Sequence, residues 1–329
     1  MEMCRQGINV QRPGSVGYKK MVGRFCGRDK PRYWELDFAR GICVMLMIFD
    51  HFMYCLWDVM PFINETLGTS LFADSAQIAK AYWTWDVRQN VWFFVVTAFF
   101  TLCGISCTLT RGNFRRSIPL ALVAAGITCV TSFVESFGLD GATILFGVIH
   151  MLASGVFLYA LLDNACVAAG DLLGKGKAAC VVREALRYIP GLVGIGLLIW
   201  LFNGYAHFSF EYGYIDIVSD YLGSDSLEMN KFLSIFLYIK PAPENGYFSF
   251  YEYTGDYFPV FPWAAIVLAG GLIGRAVYHS SARYALAPLD GAWNSGVCFL
   301  GRHAAVVYVA HMVVIPLVLA AAAAVSALF

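Results

Sequence analysis

Seven stretches of this chain run almost without charge: roughly residues 39–60, 89–110, 117–134, 142–162, 180–202, 257–278 and 297–326. A helix of about 20 apolar residues covers the roughly 30 Å hydrocarbon core of a bilayer. Inside that core each backbone amide must be bonded within its own segment, which makes helices the default spanning element. Composition agrees: 59% of the residues are hydrophobic, 14% are charged and the mean hydropathy is +0.61. A soluble domain carries about 25% charged residues. The expected fold is therefore all-α, a polytopic transmembrane bundle of about seven spans with room for re-entrant helices. The third stretch is the shortest and contains Gly126 and several threonines, and the last ends in the alanine-rich run Leu319–Ala324.

The basic residues fix an orientation. Most of the 23 Lys and Arg fall before the first span or on alternate loops: Arg5, Arg12, Lys19, Lys20, Arg24, Arg28, Lys30 and Arg32, then Arg111, Arg115 and Arg116, then Lys175, Lys177, Arg183 and Arg187, then Arg275, Arg283 and Arg302. The other loops are acidic, with Asp58, Glu65, Asp74, Asp86, Glu135 and Asp140, and later Glu211, Asp216, Asp220, Asp225, Glu228, Glu244, Glu252 and Asp256. Positive charge stays on the cytoplasmic side. This predicts a multi-pass protein of the cell (plasma) membrane with its N-terminus inside and its C-terminus outside. The formal net charge of zero is then the sum of two opposite faces, and no nucleic-acid partner is expected.

Residues 1–36 read as a basic cytoplasmic tail, attracted to anionic lipid and lacking the apolar core of a signal peptide. Residues 37–329 form the transmembrane domain. Residues 203–256 make a long outer loop dense in aromatics, in which Leu227–Ile239 has helical spacing. Such a loop serves either as an aromatic belt at the headgroups or as a lid and platform for a sugar. The ten cysteines show no metal-ligand spacing, and those in the spans read as small apolar packers. No metal is expected.

Ionisable groups inside a span are costly and face a cavity or one another. The first span carries Arg40 near its cytoplasmic end and Asp50 and His51 deeper. At 1.5 Å rise per residue, Arg40 and His51 lie roughly 16 Å apart along the axis and on nearly the same face. Asp50 points about 100° away from His51, so its partner is expected elsewhere in the bundle. Arg40 is either a snorkelling anchor or an anion ligand at the cytoplasmic mouth. Histidine at the depth of His51 suits a general base, because its ordinary pKa near 6.5 lets it take and release a proton. His150 and His311 lie in other apolar spans. Either alone reads as a satisfied packing residue; the three together suggest a polar cavity. Arg302 and His303 begin the last span and either bind phosphate or anchor the helix. Asp256 and Trp263 flank the start of the sixth span, where Pro259 and Pro262 suit a helix N-terminus.

Arg40 and His51 are separated by ten residues, which resembles the Arg-X10-His signature of the integral-membrane acyltransferases of acyltransferase family 3. The stretch Leu36-Asp-Phe-Ala-Arg-Gly-Ile-Cys-Val-Met-Leu-Met-Ile-Phe-Asp-His51 is similar to the opening span of the bacterial relatives of heparan-α-glucosaminide N-acetyltransferase. Phe93–Ser106, Phe146-Gly-Val-Ile-His-Met151, Phe258-Pro-Val-Phe-Pro-Trp263 and Gly301-Arg-His-Ala-Ala-Val-Val-Tyr-Val-Ala-His311 resemble later blocks in the same order. The resemblance covers residues 33–315.

That resemblance implies a transferase carrying an acyl group, usually acetyl, from cytoplasmic acyl-CoA to an acceptor reached from outside, often a carbohydrate. Acetyl-CoA or another acyl-CoA would be the donor substrate. On this reading Arg40, Arg302 and His303 hold the CoA phosphates, with charge-assisted bonds favouring Arg. His51 acts as base, aided by Asp50 or another carboxylate, and His150, Asp256, Trp263 and His311 line the acceptor side. Direct transfer and an acyl-histidine intermediate are both open, as is the choice among sugar, lipid and small amine. The other partners are the lipid bilayer and, as an oligomer compatible with the sequence, a second copy in a homodimer. The same intramembrane Asp and His residues allow two rival readings: a proton-coupled transporter, or a scaffold in which they only pair with one another.

Overall fold

The computed structural model describes residues 33–110, 112–138, 142–174, 176–200, 206–209, 214–217, 256–258 and 260–328. Its helices are α1 (Trp34–Tyr54), α2 (Met60–Leu67), α3 (Ala73–Trp83), α4 (Asp86–Thr108), α5 (Asn113–Glu135), α6 (Val148–Asp171), α7 (Lys177–Leu186), α8 (Ile189–Trp200), α9 (Val260–Ile273), α10 (Ser295–Arg302) and α11 (Ala304–Ser326). One short antiparallel hairpin, Ala206–Ser209 with Tyr214–Ile217, lies between α8 and α9. The rest of the aromatic loop, including the helix expected at Leu227–Ile239, and the basic tail through residue 32 lie outside the described residues.

Six helices are long and apolar enough to cross a membrane, and the chain is a multi-pass membrane protein. The first span is longer than its uncharged stretch. A π-helical turn at Cys55–Val59 joins α1 to α2, giving a 34-residue span from Trp34 to Leu67. The third is not short, since α5 occupies 23 residues.

The fifth stretch, expected as one span over 180–202, divides. α7 carries Lys177, Arg183 and Glu184 and buries no residue, which suits a helix on the membrane surface. The apolar run starts only at Ile189, and α8 is 12 residues long. It runs antiparallel to α9: Gly191 meets Leu272, Gly194 meets Ala265 and Ala269, and the Trp200 ring lies 5.9 Å from that of Phe261. α8 thus climbs beside a spanning helix. The last stretch also divides, at His303, into α10 and α11. Its alanine-rich end stays in the bundle, with Leu319 and Ala323 buried against Met60 and Ile63.

Phe261 is extended (φ −102°, ψ 127°), as a residue before proline prefers, so the regular part of α9 begins at Pro262. α9 sits at the centre. Gly104 of α4 abuts the Val267 carbonyl, and Gly270 abuts the Thr101 carbonyl; a Cβ at either would collide. Gly41 and Gly301 do the same for α1 and α10. With lipid outside there is little hydrophobic drive between helices, so close contact through small residues supplies the packing.

These contacts assign the two ends. The start of α1 meets the end of α9 through Tyr33 and Tyr278, whose ring centroids are 4.7 Å apart, and Trp34 donates to the Leu286 carbonyl at 2.9 Å. Arg40, Arg116, Arg183, Arg275, Arg283 and Arg302 gather there. The opposite end holds Asp50, α2, α3, Arg88, Asp256 and the end of α11.

Candidate active site

Arg40 opens the site. Its Nη1 donates to Asp37 Oδ1 at 3.0 Å and its Nη2 to Ser106 Oγ at 2.5 Å. Asp37 lies one turn earlier on α1, and Ser106 is presented by the last turn of α4. The two acceptors hold the guanidinium at the wall of a cavity of about 430 Å³, also lined by Tyr33, Phe99, Cys103, Arg116, Ile149, Arg302 and Tyr308. Arg116 is held by Asn113 Oδ1 at 3.3 Å and the Ser106 carbonyl at 3.5 Å, whereas Arg302 is exposed at the cavity edge. Three guanidinium groups on one cavity match the charge of a polyphosphate. His303 is not in that wall: its Nδ1 lies 2.9 Å from the Phe299 carbonyl and its ring 4.5 Å from that of Phe299.

Deeper in the bundle, His51 meets His311. Nδ1 of His51 lies 2.5 Å from Nε2 of His311, and the rings stack with centroids 4.8 Å apart and 13° between planes. His311 Nδ1 lies 3.2 Å from the Val307 carbonyl, which only accepts. This assigns the proton to His311 Nδ1 and leaves its Nε2 as acceptor for His51 Nδ1–H. His51 Nε2 then keeps its lone pair, as a general base requires.

Asp50 does not orient His51. It forms a bidentate pair with Arg88 (Nε to Oδ1 2.8 Å, Nη2 to Oδ2 2.6 Å) and accepts from Tyr82 Oη at 3.0 Å. The Arg88 guanidinium sits 3.7 Å over the Trp83 ring. The partner expected elsewhere in the bundle is therefore Arg88, at the acidic end. Burial beside Asp50 pushes the Tyr82 hydroxyl up to about 12.

Asp256 Oδ2 accepts from the Val148 amide at 3.2 Å and the Tyr308 hydroxyl at 3.1 Å. Burial pushes its carboxyl up to about 6, with those two donors pulling the other way. His150 lies nearby but is satisfied. Its Nδ1 accepts from the Gly147 amide at 3.2 Å, which leaves Nε2–H for Thr128 Oγ1 at 3.0 Å. Trp263 is not brought to the site. It is 1% exposed and packed among Phe93, Phe100, Phe258 and Trp92. Among the described residues, no group of three or more His, Cys, Asp or Glu could hold a metal ion.

The structure thus joins Arg40 with Arg302, His51 with His311, and Asp256 with His150. It adds Asp37, Ser106, Arg116, Arg88 and Tyr308, which sequence reasoning did not single out. Asp37 and Tyr308 carried a signal, each three residues before a chosen residue on the same helix face.

The family described as heparan-alpha-glucosaminide N-acetyltransferase, catalytic, matches residues 32–212 and 232–313. The chain belongs to this family. Its matched segments contain Arg40, Asp50, His51, His150, Asp256, Trp263, Arg302, His303 and His311, and the membrane N-acetyltransferase assignment agrees with the multi-pass bundle. No curated protein and no solved structure matches.

Proposed function

We propose that this protein transfers an acyl group, acetyl in the first instance, from cytoplasmic acyl-CoA to an acceptor reached from the opposite side of the plasma membrane. The observation that carries this reading is the arginine-walled cavity at the basic end, which reaches Tyr308 beside the His51–His311 pair. Positive residues favour the cytoplasm, so that end faces the cell interior and the acyl-CoA pool, and the chain runs from N-inside to C-outside. Arg40, Arg116 and Arg302 hold the CoA phosphates, and the pantetheine arm extends toward Tyr308.

His51 Nε2 takes the proton from an acceptor hydroxyl or amine as that group attacks the thioester carbonyl. The tetrahedral adduct collapses with loss of the CoA thiolate, and the proton on His51 leaves with the thiol. His311 keeps the His51 ring in the required tautomer. The Asp50–Arg88 pair fixes the helix end that carries His51. A carbohydrate with a free hydroxyl or amine suits the acceptor role, and the aromatic outer loop suits its ring.

Sealed vesicles of both orientations, supplied with labelled acetyl-CoA and a panel of amino sugars, test the proposal. Label should reach the acceptor only when acetyl-CoA is on the cytoplasmic face and the acceptor on the other. A substrate-dependent proton current with no acetyl-CoA consumed would replace this reading with the transporter.

A further inference from the structure

The inner cavity has a built floor. Tyr308 and Ile149 line both the arginine-walled cavity and a second, close-packed pocket that holds His150 and Asp256. Tyr308 is 2% exposed. Its ring lines the cavity and packs beside the catalytic pair, 5.4 Å from the His311 ring and 6.2 Å from the His51 ring by centroid.

The floor is also fixed in place. The Tyr308 hydroxyl donates to Asp256, and Asp256 is held by the Val148 amide at the start of α6. Gly147 closes the carboxylate in, because a Cβ there would collide with it. Ile149 is 3% exposed and follows on the same turn of α6. A ring held by its hydroxyl cannot tilt away without leaving a buried carboxylate short of a donor, which is costly in an apolar interior.

Resting on the acyl-CoA reading above, we propose that Tyr308, backed by Ile149, sets the acyl-chain length of the donor by walling the cavity at the end of the acyl group. An acetyl group fits between the thioester and the ring. A longer chain must displace the ring and break its bond to Asp256. Tyr308 is thus a specificity-determining residue, and Asp256 is a positioning residue that acts through it. The selected substrate class is short-chain acyl-CoA.

The test uses the full-length protein in detergent with CoA, acetyl-CoA, butyryl-CoA and hexanoyl-CoA, reading both Kd and kcat/KM. Each extra methylene pressed against a rigid wall is worth about tenfold or more in discrimination. Wild type should bind CoA and acetyl-CoA alike and turn over hexanoyl-CoA at least about tenfold less well than acetyl-CoA. Tyr308→Ala should shift that ratio toward hexanoyl-CoA by about tenfold or more. Ile149→Ala should shift it the same way and serves if Tyr308→Ala does not fold. Tyr308→Phe keeps the ring and frees Asp256, so its ratio should fall between wild type and Tyr308→Ala. Equal use of acetyl- and hexanoyl-CoA by wild type, or an unchanged ratio in folded Tyr308→Ala or Ile149→Ala, overturns the proposal while the acyl-CoA reading stands. No binding of CoA or acetyl-CoA by folded wild type overturns both.

Discussion

His51 donates through Nδ1 to Nε2 of His311, 2.5 Å away, across the interface of the first and last spanning helices. The arrangement gives the two residues different tasks. His51→Ala should leave the Kd for acetyl-CoA within about threefold while lowering kcat by about 10²–10⁴, the range for loss of a general base. His311→Ala removes only the group that fixes the ring and should lower kcat by about 10-fold to 10²-fold, in line with the loss of a partner that orients another ligand or base. Single-turnover assays on variants with matched melting curves separate these effects. Equal kcat loss in both variants would mean that the two histidines act as one unit.

Asp50 and Arg88 carry a different expectation. Their side chains are 12% and 10% exposed, and their contact is bidentate. Removing one charge leaves the other buried without compensation, which costs about 3–5 kcal/mol. Arg88→Ala should therefore lower the melting temperature strongly. The double variant Asp50→Asn with Arg88→Gln should recover part of that loss. A double variant as unstable as the sum of the singles would show that the pair is not coupled.

The α1–α10 contact gives a stability prediction. At Gly301 a Cβ would overlap the Asp37 carbonyl and the Gly41 backbone, and these are backbone atoms that cannot swing aside. Gly301→Ala should destabilise by about 1–3 kcal/mol. It should also weaken acetyl-CoA binding, because Asp37 holds Arg40. Gly126→Ala meets open space on α5 and should change neither property. Thermal melts of the two variants in the same detergent make the comparison.

Much of this fold was legible because a bilayer restricts the choices. Uncharged runs located the spans, and the alternation of Arg-rich and acid-rich loops sorted their ends. The split of residues 180–202 was harder to read, because Val181 and Val182 extend the apolar character into a helix that buries no residue. Arg40 and His51 share one helix, so helical geometry alone aligned them with the cavity and the histidine pair. The contacts of His51 with His311 and Asp50 with Arg88 join residues 260 and 38 positions apart. Such pairings follow from helix packing, which no local period encodes. Trp263 illustrates the opposite case: the family resemblance put it on the acceptor side, but its neighbours on α4 and the chain before α9 enclose it.

Asp256 supplies a pH signature. Its carboxyl rises from 3.8 to about 6 on folding, chiefly through burial, so the folded state binds this proton more tightly than the unfolded state. Its stabilising contribution is complete below about pH 4 and is lost as pH rises through about 6. Asp256→Asn is neutral throughout. The stability of wild type relative to Asp256→Asn should fall between pH 4 and pH 7 by an amount on the order of 2 kcal/mol, read as a drop in melting temperature. A difference that stays constant across that range would contradict the buried, raised carboxyl.

The most direct test of the central claim is acetyl-CoA binding to the purified protein, comparing wild type with Arg40→Ala. The account predicts saturable binding that weakens by about 10-fold to 10²-fold in the variant, the cost of removing one charge-assisted contact to phosphate. Absence of binding by folded wild type, or equal affinity in Arg40→Ala, would contradict it.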